Sequence, residues 1–446
     1  MNRATATLER VAFKTSRELE YFTQKELVVQ TGHEPERWPE VVLKELVDNA
    51  LDAAEEHDQP VEIAIALRPD GITVADNGPG LPAEVLEGVL DFSVRVSSKD
   101  AYVTPTRGAQ GNALKTVLAI PFVLSGGMVG AHVIRARGLE HRVTVAVDPL
   151  RRVPVIRHDA VPCPDVSSGT SWRVCWPEQA SLNVEALTPQ FLQLVSGHAV
   201  LNPHVALTLD AGGAVSRFER SAATCGHWRP NEPMSAHWFS LERFRTLVAA
   251  FVAAEADGGP SRTVRELVAM FRGLSGTAKQ KALLGPLGLS RVPVRELVKE
   301  GDVDLAVIAS LLTAMQGAST PVKPAAFGVL GEAHLGAWLK TYGGVTDTVK
   351  YKRIADVDDR TSLPFVVEIA FAARHPDGDG RRLLTGTNWS PALVDQFSAF
   401  SGLGLGLSGL LGHLHVEPAD PVTVVVHLAC PTLPFTDRGK ASLEAL

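Results

Sequence analysis

The stretch V-V-L-K-E-L-V-D-N-A-L-D at 41–52 concentrates the side chains with the clearest capacity for chemistry. Glu45, Asp48, Asn49 and Asp52 recur at i, i+3, i+4 and i+7, which on an α-helix sets them in one stripe. A carboxylate one turn from an asparagine amide suits a general base beside an oxygen ligand for a hard cation. A solvated helical face would scatter lysines among its acids, and here Lys44 is the one nearby cation. A second stretch, Asp76-Asn77-Gly78-Pro79-Gly80, puts an acid at a strand end followed by glycines that let backbone approach a flat ligand. Such an aspartate can accept a hydrogen bond from the exocyclic amine of a purine, a charged bond worth about 1.5–3 kcal/mol. By itself the same stretch also reads as a plain turn. A third stretch follows the polar Ser98-Lys99 linker: Arg107-Gly108-Ala109-Gln110-Gly111-Asn112-Ala113-Leu114-Lys115-Thr116, running into V-L-A-I-P-F-V-L. Glycines entering a helix offer free backbone N–H groups and the helix's positive end to an anion such as a polyphosphate. The spacing is not that of a Walker A loop, which would require Gly at 113 and Lys at 114. The fourth piece, Gly169-Thr170, opens the strand-like S-W-R-V-C-W.

The elements that must hold these groups are legible around them. Val42, Leu43, Leu46, Val47, Ala50 and Ala54 form the other side of the acidic helix, spaced to be buried against a sheet. Pro39 sits where a first helical turn tolerates its missing N–H. V-E-I-A-I-A-L-R at 61–68 alternates as a half-buried strand, P-D-G at 69–71 is turn chemistry, and I-T-V-A leads into Asp76. S-R-E-L-E-Y-F-T-Q-K-E-L near the N-terminus predicts a short helix behind an exposed arm. The composition of the 446 residues, 45% hydrophobic and 21% charged, allows a large core divided among two or three domains. A net charge of −7 gives no global attraction to nucleic acid or anionic membrane, so any DNA contact has to be a local patch. No apolar signal-type start and no run of about 18 apolar residues is present, and a cytoplasmic protein without membrane contact is expected. Four cysteines without C-x-x-C spacing point to a reducing compartment. Cys225-Gly226-His227 invites a zinc reading, but the sequence offers no second ligand pair to complete it.

Taken in order, the acidic helix, D-x-G-x-G, the Gly-rich helix entry and the late G-T resemble the ATP-binding fold of the GHKL superfamily, which includes gyrase, MutL, histidine kinases and heat-shock chaperones. The resemblance implies an α+β chain: a GHKL (Bergerat) ATP-binding α/β sandwich with ATP lying between sheet and helices under a mobile lid. It implies that Glu45 activates the attacking water and that Asn49 is the ligand of a Mg2+ bridging the phosphates. Asp76, with Gly78 and Gly80 beside it, would hold the adenine amine, aided by Thr170 through water. Gly108, Ala109, Gln110, Gly111, Asn112, Ala113, Leu114 and Lys115 would wrap the phosphates, with Ser98 and Lys99 in the lid. Asp48 and Asp52 would orient water and metal from further out.

Within the superfamily, G-x-x-G-x-A-L at 108–114 is similar to MutL, while Lys115 and the phrases S-R-E-L and K-E-L-V-D-N-A-L-D-A are more similar to the B subunits of type IIB topoisomerases. Ala113 departs from the glycine usual in the latter. W-R-P-N-E-P-M at 228–234 predicts a linker, and a helix-rich block after it resembles the helix-two-turns-helix insert of those subunits. P-F-V-V-E-I-A-F-A-A and V-T-V-V-V-H-L-A-C-P predict strands of an α/β transducer of ribosomal S5-like type, with G-T-N-W-S-P a turn. The expected layout is an arm at 1–30, the ATP-binding domain at 31–228, the helical domain at 235–320 and the transducer at 321–446. In the family a lysine in the context of Lys440 reaches the γ-phosphate from the second domain. The long helix that follows it there is not present here, and no Toprim-like acidic cluster with a catalytic tyrosine is seen, so the chain is not expected to cut DNA itself. The implied function is an ATP-hydrolysing subunit that dimerises on ATP and gates duplex DNA for a separate Toprim/winged-helix cleaving subunit. Residues 260–300, with eight Lys or Arg against three Glu, are the expected DNA contact. The alternative is a MutL-like, ATP-controlled clamp or switch in DNA repair or defence against foreign DNA, without strand passage.

Overall fold

The protein is described by a computed structural model, which defines residues 21–57, 60–92, 101–107, 113–148, 150–151, 153–299, 301–344, 349–375, 380–398, 405–435 and 442–443. Ser98, Lys99, Gly108, Ala109, Gln110, Gly111, Asn112 and Lys440 lie outside these residues.

The first unit is an eight-stranded sheet in the order β5-β4-β3-β6-β2-β1-β7-β8. Its strands are β1 (Val61–Arg68), β2 (Gly71–Asp76), β3 (Gly130–Ala136), β4 (Leu139–Asp148), β5 (Val153–Pro162), β6 (Thr170–Cys175), β7 (Val205–Ala211) and β8 (Ala214–Phe218). All neighbours pair antiparallel except β1 with β7. The alternation in β1 buries Val61, Ile63, Ile65 and Leu67 and leaves Glu62 and Ala64 exposed. Helix α1 (Gln24–Thr31) starts at the Thr23 cap, whose side chain accepts from Glu26 N. Residues 16–20 of the predicted segment lie outside the described residues. Helix α2 (Trp38–Glu55) carries Pro39 in its first turn, as expected, and buries Val42, Leu43, Leu46, Val47, Ala50 and Ala54. It packs on β1 and β2 and touches α4 (Ala113–Leu124) and α5 (Val184–Leu201), while α3 (Ala83–Leu90) packs on α4.

A helical unit follows: α6 (Leu241–Ala256), α7 (Val264–Ala269), α8 (Thr277–Leu284) and α9 (Leu305–Ala318), with a two-stranded ribbon β9 (Val298–Lys299) and β10 (Asp302–Val303). Within the expected helix-rich block, V-P-V-R-E-L-V forms only a short 3-10 turn, Val294–Leu297, since Pro293 holds extended backbone and the ribbon begins at Val298. Next come α10 (Glu332–Tyr342) and a second sheet, β11 (Lys350–Val357), β12 (Pro364–Ala373), β13 (Arg382–Thr387), β14 (Ser390–Pro391) and β15 (Val422–Ala429), ordered β11-β12-β15-β13-β14. Helix α11 (Gly406–His413) precedes β15. One core runs from the helical unit to Val366, Ala370, Leu384 and Val425 of this sheet and to Val200 and Leu201 of α5, so the three units share packed interior.

Two buried charges fasten the units. Glu368 on β12 accepts from Leu330 N and Gly331 N, each at 2.8 Å, and from the Tyr351 hydroxyl at 2.7 Å. Arg107 is buried and forms a fork on Glu55, Nη2 to Oε1 at 2.7 Å and Nη1 to Oε2 at 2.9 Å. It also donates to Asp52 Oδ1 at 3.1 Å, to Asn202 Oδ1 and to the carbonyl of Trp389 at 3.3 Å. Trp389 and Asn388 form the two-residue tip of the β13–β14 hairpin, both at positive φ (68° and 47°), as a type I′ connection requires. A tryptophan is strained there, and its backbone is held by the His427 ring accepting from Trp389 N at 3.2 Å. At the same tip Ser390 donates to Asp48 Oδ2 of α2 at 2.6 Å.

Burial raises the Glu368 carboxyl, but its hydrogen bonds and the His427 side chain outweigh it and hold the group at about 2, below its ordinary 4.5. An acid depressed on folding contributes stability that is fully present above its unfolded value and is lost as pH falls through the folded one. Acid unfolding followed by circular dichroism should therefore show Glu368→Gln losing much of the pH dependence between about pH 5 and pH 2. Arg107→Ala strands Glu55 as a buried unpaired charge and should cost about 3–5 kcal/mol in denaturant unfolding. Arg107→Lys should recover only part, because an ammonium cannot reproduce the fork.

Candidate functional site

Between α2 and β2 lies a pocket of about 720 Å³. The strand-end turn after β2 forms its floor. Asn77 is committed to structure: its side-chain oxygen accepts from Glu62 N at 2.9 Å and its amide donates to the Pro60 carbonyl at 2.8 Å. This clamp on β1 turns Asp76 toward the pocket wall. Asp76 Oδ1 accepts from Gly78 N at 2.8 Å and Thr170 N at 3.3 Å, leaving Oδ2 outside these bonds. Burial raises the Asp76 carboxyl, and the two backbone donors oppose the shift. The glycines here are required by contact. Gly169 stands at φ +75 and donates to the Gly78 carbonyl at 2.7 Å, and a Cβ on it would overlap the Asp76 carbonyl. At Gly80, φ +80, a Cβ would meet Arg137 Cγ at 2.9 Å and the Gly169 carbonyl at 3.0 Å. Thr170 Oγ1 accepts from Leu81 N at 2.9 Å, so the hydroxyl keeps a proton to donate.

Of the residues singled out from sequence, Asn49, Asp52, Asp76, Gly80, Leu114 and Thr170 line this pocket. The Asn49 amide nitrogen donates to the Glu45 carbonyl at 2.6 Å, spending the nitrogen within the helix and presenting the oxygen. Glu45 is half-buried one turn earlier, with Oε1 3.8 Å from Lys44 Nζ, and is not in the pocket wall. Gly78 lies under Asp76, where a Cβ would meet Asp76 Oδ1 at 2.9 Å. Ala113 opens α4 and is outside the lining. Lys115 is buried, and its Nζ donates to the Asp91 carbonyl at 2.6 Å and stands 5.9 Å from the Phe92 ring. The helical phase thus aims it at the α3 end, away from the pocket.

The acidic stripe is not a uniform wet face. Asp48 is 3% exposed, paired with Lys44 at 2.8 Å and bonded to Ser390, and its oxygens serve packing between units. Asp52 lines the pocket but is also bound by Arg107. Sequence reasoning passed over Arg137, Trp172 and Met234, which complete the wall. Arg137 donates to the Gly80 carbonyl at 3.0 Å, a position set by strand pairing across β3 and β6 that no local motif signals.

The basic residues at 260–300 are largely engaged within the protein. Arg262 lies over Phe251, Arg265 donates to Gln280, Arg272 lies over Trp228, Arg295 pairs with Glu255 and Lys299 with Asp304. All eight are exposed except the half-buried Arg262. Among the described residues no helix is long and apolar enough to cross a membrane.

Residues 34–177 match the family described as histidine kinase-, DNA gyrase B- and HSP90-like ATPase. The chain is 24% identical over 420 residues to the B subunit of type 2 DNA topoisomerase 6 from Archaeoglobus fulgidus, a span that covers 91% of this chain and 66% of the relative's length. It also resembles, at 13% identity and a TM-score of 0.32, the crystal structure of the 43K ATPase domain of Thermus thermophilus gyrase B in complex with an aminocoumarin, covering 90% of this chain and 78% of that one. Residues 34–177 therefore form an ATPase domain of the histidine kinase-, DNA gyrase B- and HSP90-like family, with the α+β GHKL fold.

Proposed function

We propose that the chain is an ATP-hydrolysing subunit of a type IIB topoisomerase-like assembly, dimerising on ATP and gating duplex DNA for a separate DNA-cleaving subunit. The observation that carries the nucleotide part is the floor of the pocket: a half-buried carboxylate with one oxygen turned to backbone and the other uncommitted by those bonds, in a turn kept thin by Gly78, Gly80 and Gly169. That is a seat for a purine amine on a flat base. In this reading Asp76 holds adenine with Thr170, and Glu45 is the base that draws a proton from the attacking water. The Asn49 oxygen fits a hard cation, and with Asn49 as its ligand Mg2+ would neutralise phosphate charge. Gly108–Leu114 would wrap the phosphates, Ser98 and Lys99 would belong to the lid, and Lys440 would reach the γ-phosphate from the second sheet's unit. Lys115 would act on the phosphates only after leaving the Asp91 carbonyl. The domain limits proposed are 31–228, 235–320 and 321–446.

The topoisomerase part is supported by the extent of the similarity, which runs through the helical unit and second sheet rather than stopping at the ATPase domain. One observation favours the second reading, a MutL-like clamp or switch without strand passage: five of the eight basic groups at 260–300 already have partners within the protein, and although all but Arg262 stay exposed, phosphate there would compete with those partners. Relaxation of supercoiled plasmid by the chain with a Toprim partner separates the two.

Glu45→Ala should bind ATP nearly as tightly as the parent while turnover falls by about 10²–10⁴, the range for loss of a general base. Asp76→Ala should abolish binding in calorimetry, and retained affinity would remove the adenine assignment. Sizing with a non-hydrolysable ATP analogue and magnesium should convert the chain to a dimer, and Lys440→Ala should bind the analogue without the accompanying change in small-angle scattering.

A further inference from the structure

Cys225-Gly226-His227 lacks a second ligand pair in the sequence, and the fold supplies one. Glu55 at the end of α2, His204 in the turn before β7, and Cys225 and His227 in the segment after β8 each offer a ligand atom within 4.8 Å of the others. Glu55, His204 and His227 are 2%, 3% and 7% exposed. His204 Nε2 is 2.9 Å and His227 Nε2 3.3 Å from the same atom, Glu55 Oε1. His227 Nδ1 lies 3.0 Å from the Trp228 carbonyl, which fixes the ring proton on that nitrogen. A neutral His227 then turns its Nε2 lone pair both to Arg107 Nη2 and to a carboxylate oxygen. That is an unfavourable meeting of two acceptors, eased only in part by Arg107 Nη2 at 3.2 Å. A backbone carbonyl holding one imidazole nitrogen while the other faces an anionic oxygen is how a protein presets a metal-ligating histidine. His204 Nδ1 is buried and has no hydrogen-bond partner among the described residues.

We propose that Glu55, His204, Cys225 and His227 are the ligands of one structural zinc ion. The donor set of two imidazoles, a thiolate and a carboxylate suits zinc, whose tetrahedral ligand atoms stand about 3.3–3.8 Å apart, so the side chains have to draw in by about an ångström at most. Charge agrees. Among the described residues Arg107 is the cation paired with both Asp52 and Glu55. With Cys225 ionised, the two charges of zinc and the one of Arg107 match Asp52, Glu55 and the thiolate. Arg107 Nη1 retains Glu55 Oε2, while Nη2, which now donates to Oε1 at 2.7 Å, keeps Asn202 as Oε1 turns to the ion beside the histidines. Burial and the Glu55 charge push the Cys225 thiol up to about 11, so metal uptake releases its proton and weakens as pH falls. The ion would tie α2, the β7 turn and the segment leading to the helical unit.

The test uses the full chain without a histidine tag, desalted and assayed for metal by mass spectrometry, then stripped and reloaded with cobalt(II). Close to one zinc per chain is expected, together with a thiolate-to-cobalt charge-transfer absorption. Cys225→Ser should lose that absorption and most of the zinc, whereas Cys163→Ser should keep both. A folded parent chain that takes up neither zinc nor cobalt overturns the site, and so does uptake that Cys225→Ser leaves unchanged. The parent measurements stand even if a variant fails to fold.

Discussion

The buried guanidinium of Arg107 is the constraint on which the arrangement of the units depends. A guanidinium withdrawn from water is tolerated only when its donors are met by acceptors and its charge by carboxylates. Here the acceptors come from α2, from Asn202 at the end of α5 and from the Trp389 carbonyl on the second sheet. Burial alone would lower its affinity for the proton, and the Glu55 and Asp52 charges reverse this and raise it. The same contacts hold Glu55 well below its ordinary range against burial. None of these elements can shift alone without leaving a charge or a polar atom unsatisfied.

The hairpin tip that answers Arg107 shows how such a demand propagates. Trp389 adopts a backbone conformation that glycine would take more cheaply, yet its ring is buried, stacks on His227 at 4.3 Å and meets His427 at the same distance. Asn388 exchanges two 2.9 Å hydrogen bonds with the backbone of Cys430. The strain is carried because ring, amide and carbonyl are each fixed by a different element. Ser390, the next residue, reaches Asp48, so the acid stripe of α2 is read at two successive turns by the second sheet and by Arg107.

What could be seen in the sequence was what is local. The limits of β1 and β12 follow from alternation and flanking turn residues, and α2 follows from its apolar spacing and Pro39. The D-N-G turn and its glycines were legible as a site because backbone approach needs residues without Cβ. The tasks of Asp48 and Asp52 were not, since their partners are 342 and 55 positions away. A stripe of acids looks the same whether it meets water, metal or a buried arginine. The present partner of Lys115 was not legible for a related reason: motif spacing fixes a position along the helix, whereas the phase of α4 decides that its ammonium meets the Asp91 carbonyl. Cys225 and His227 appeared as half a ligand set because the other half comes from α2 and the β7 turn.

Helix α2 places the pocket and the Arg107 cluster on one rigid body. Asn49 and Glu55 are six residues apart, about 9 Å along an α-helix, and both faces of the intervening turns are packed, with Leu51 and Ala54 in the core and Asp52 on Arg107. A helix enclosed in this way transmits displacement as translation or rotation rather than by bending, because its backbone bonds and its neighbours both resist local change. Arg107 is also the residue immediately before the Gly-rich stretch 108–112. The first sheet and the second are joined without a relay of flexible contacts: one arginine touches the hairpin tip of the second sheet and α2, and α2 packs on the first sheet and forms part of the pocket wall.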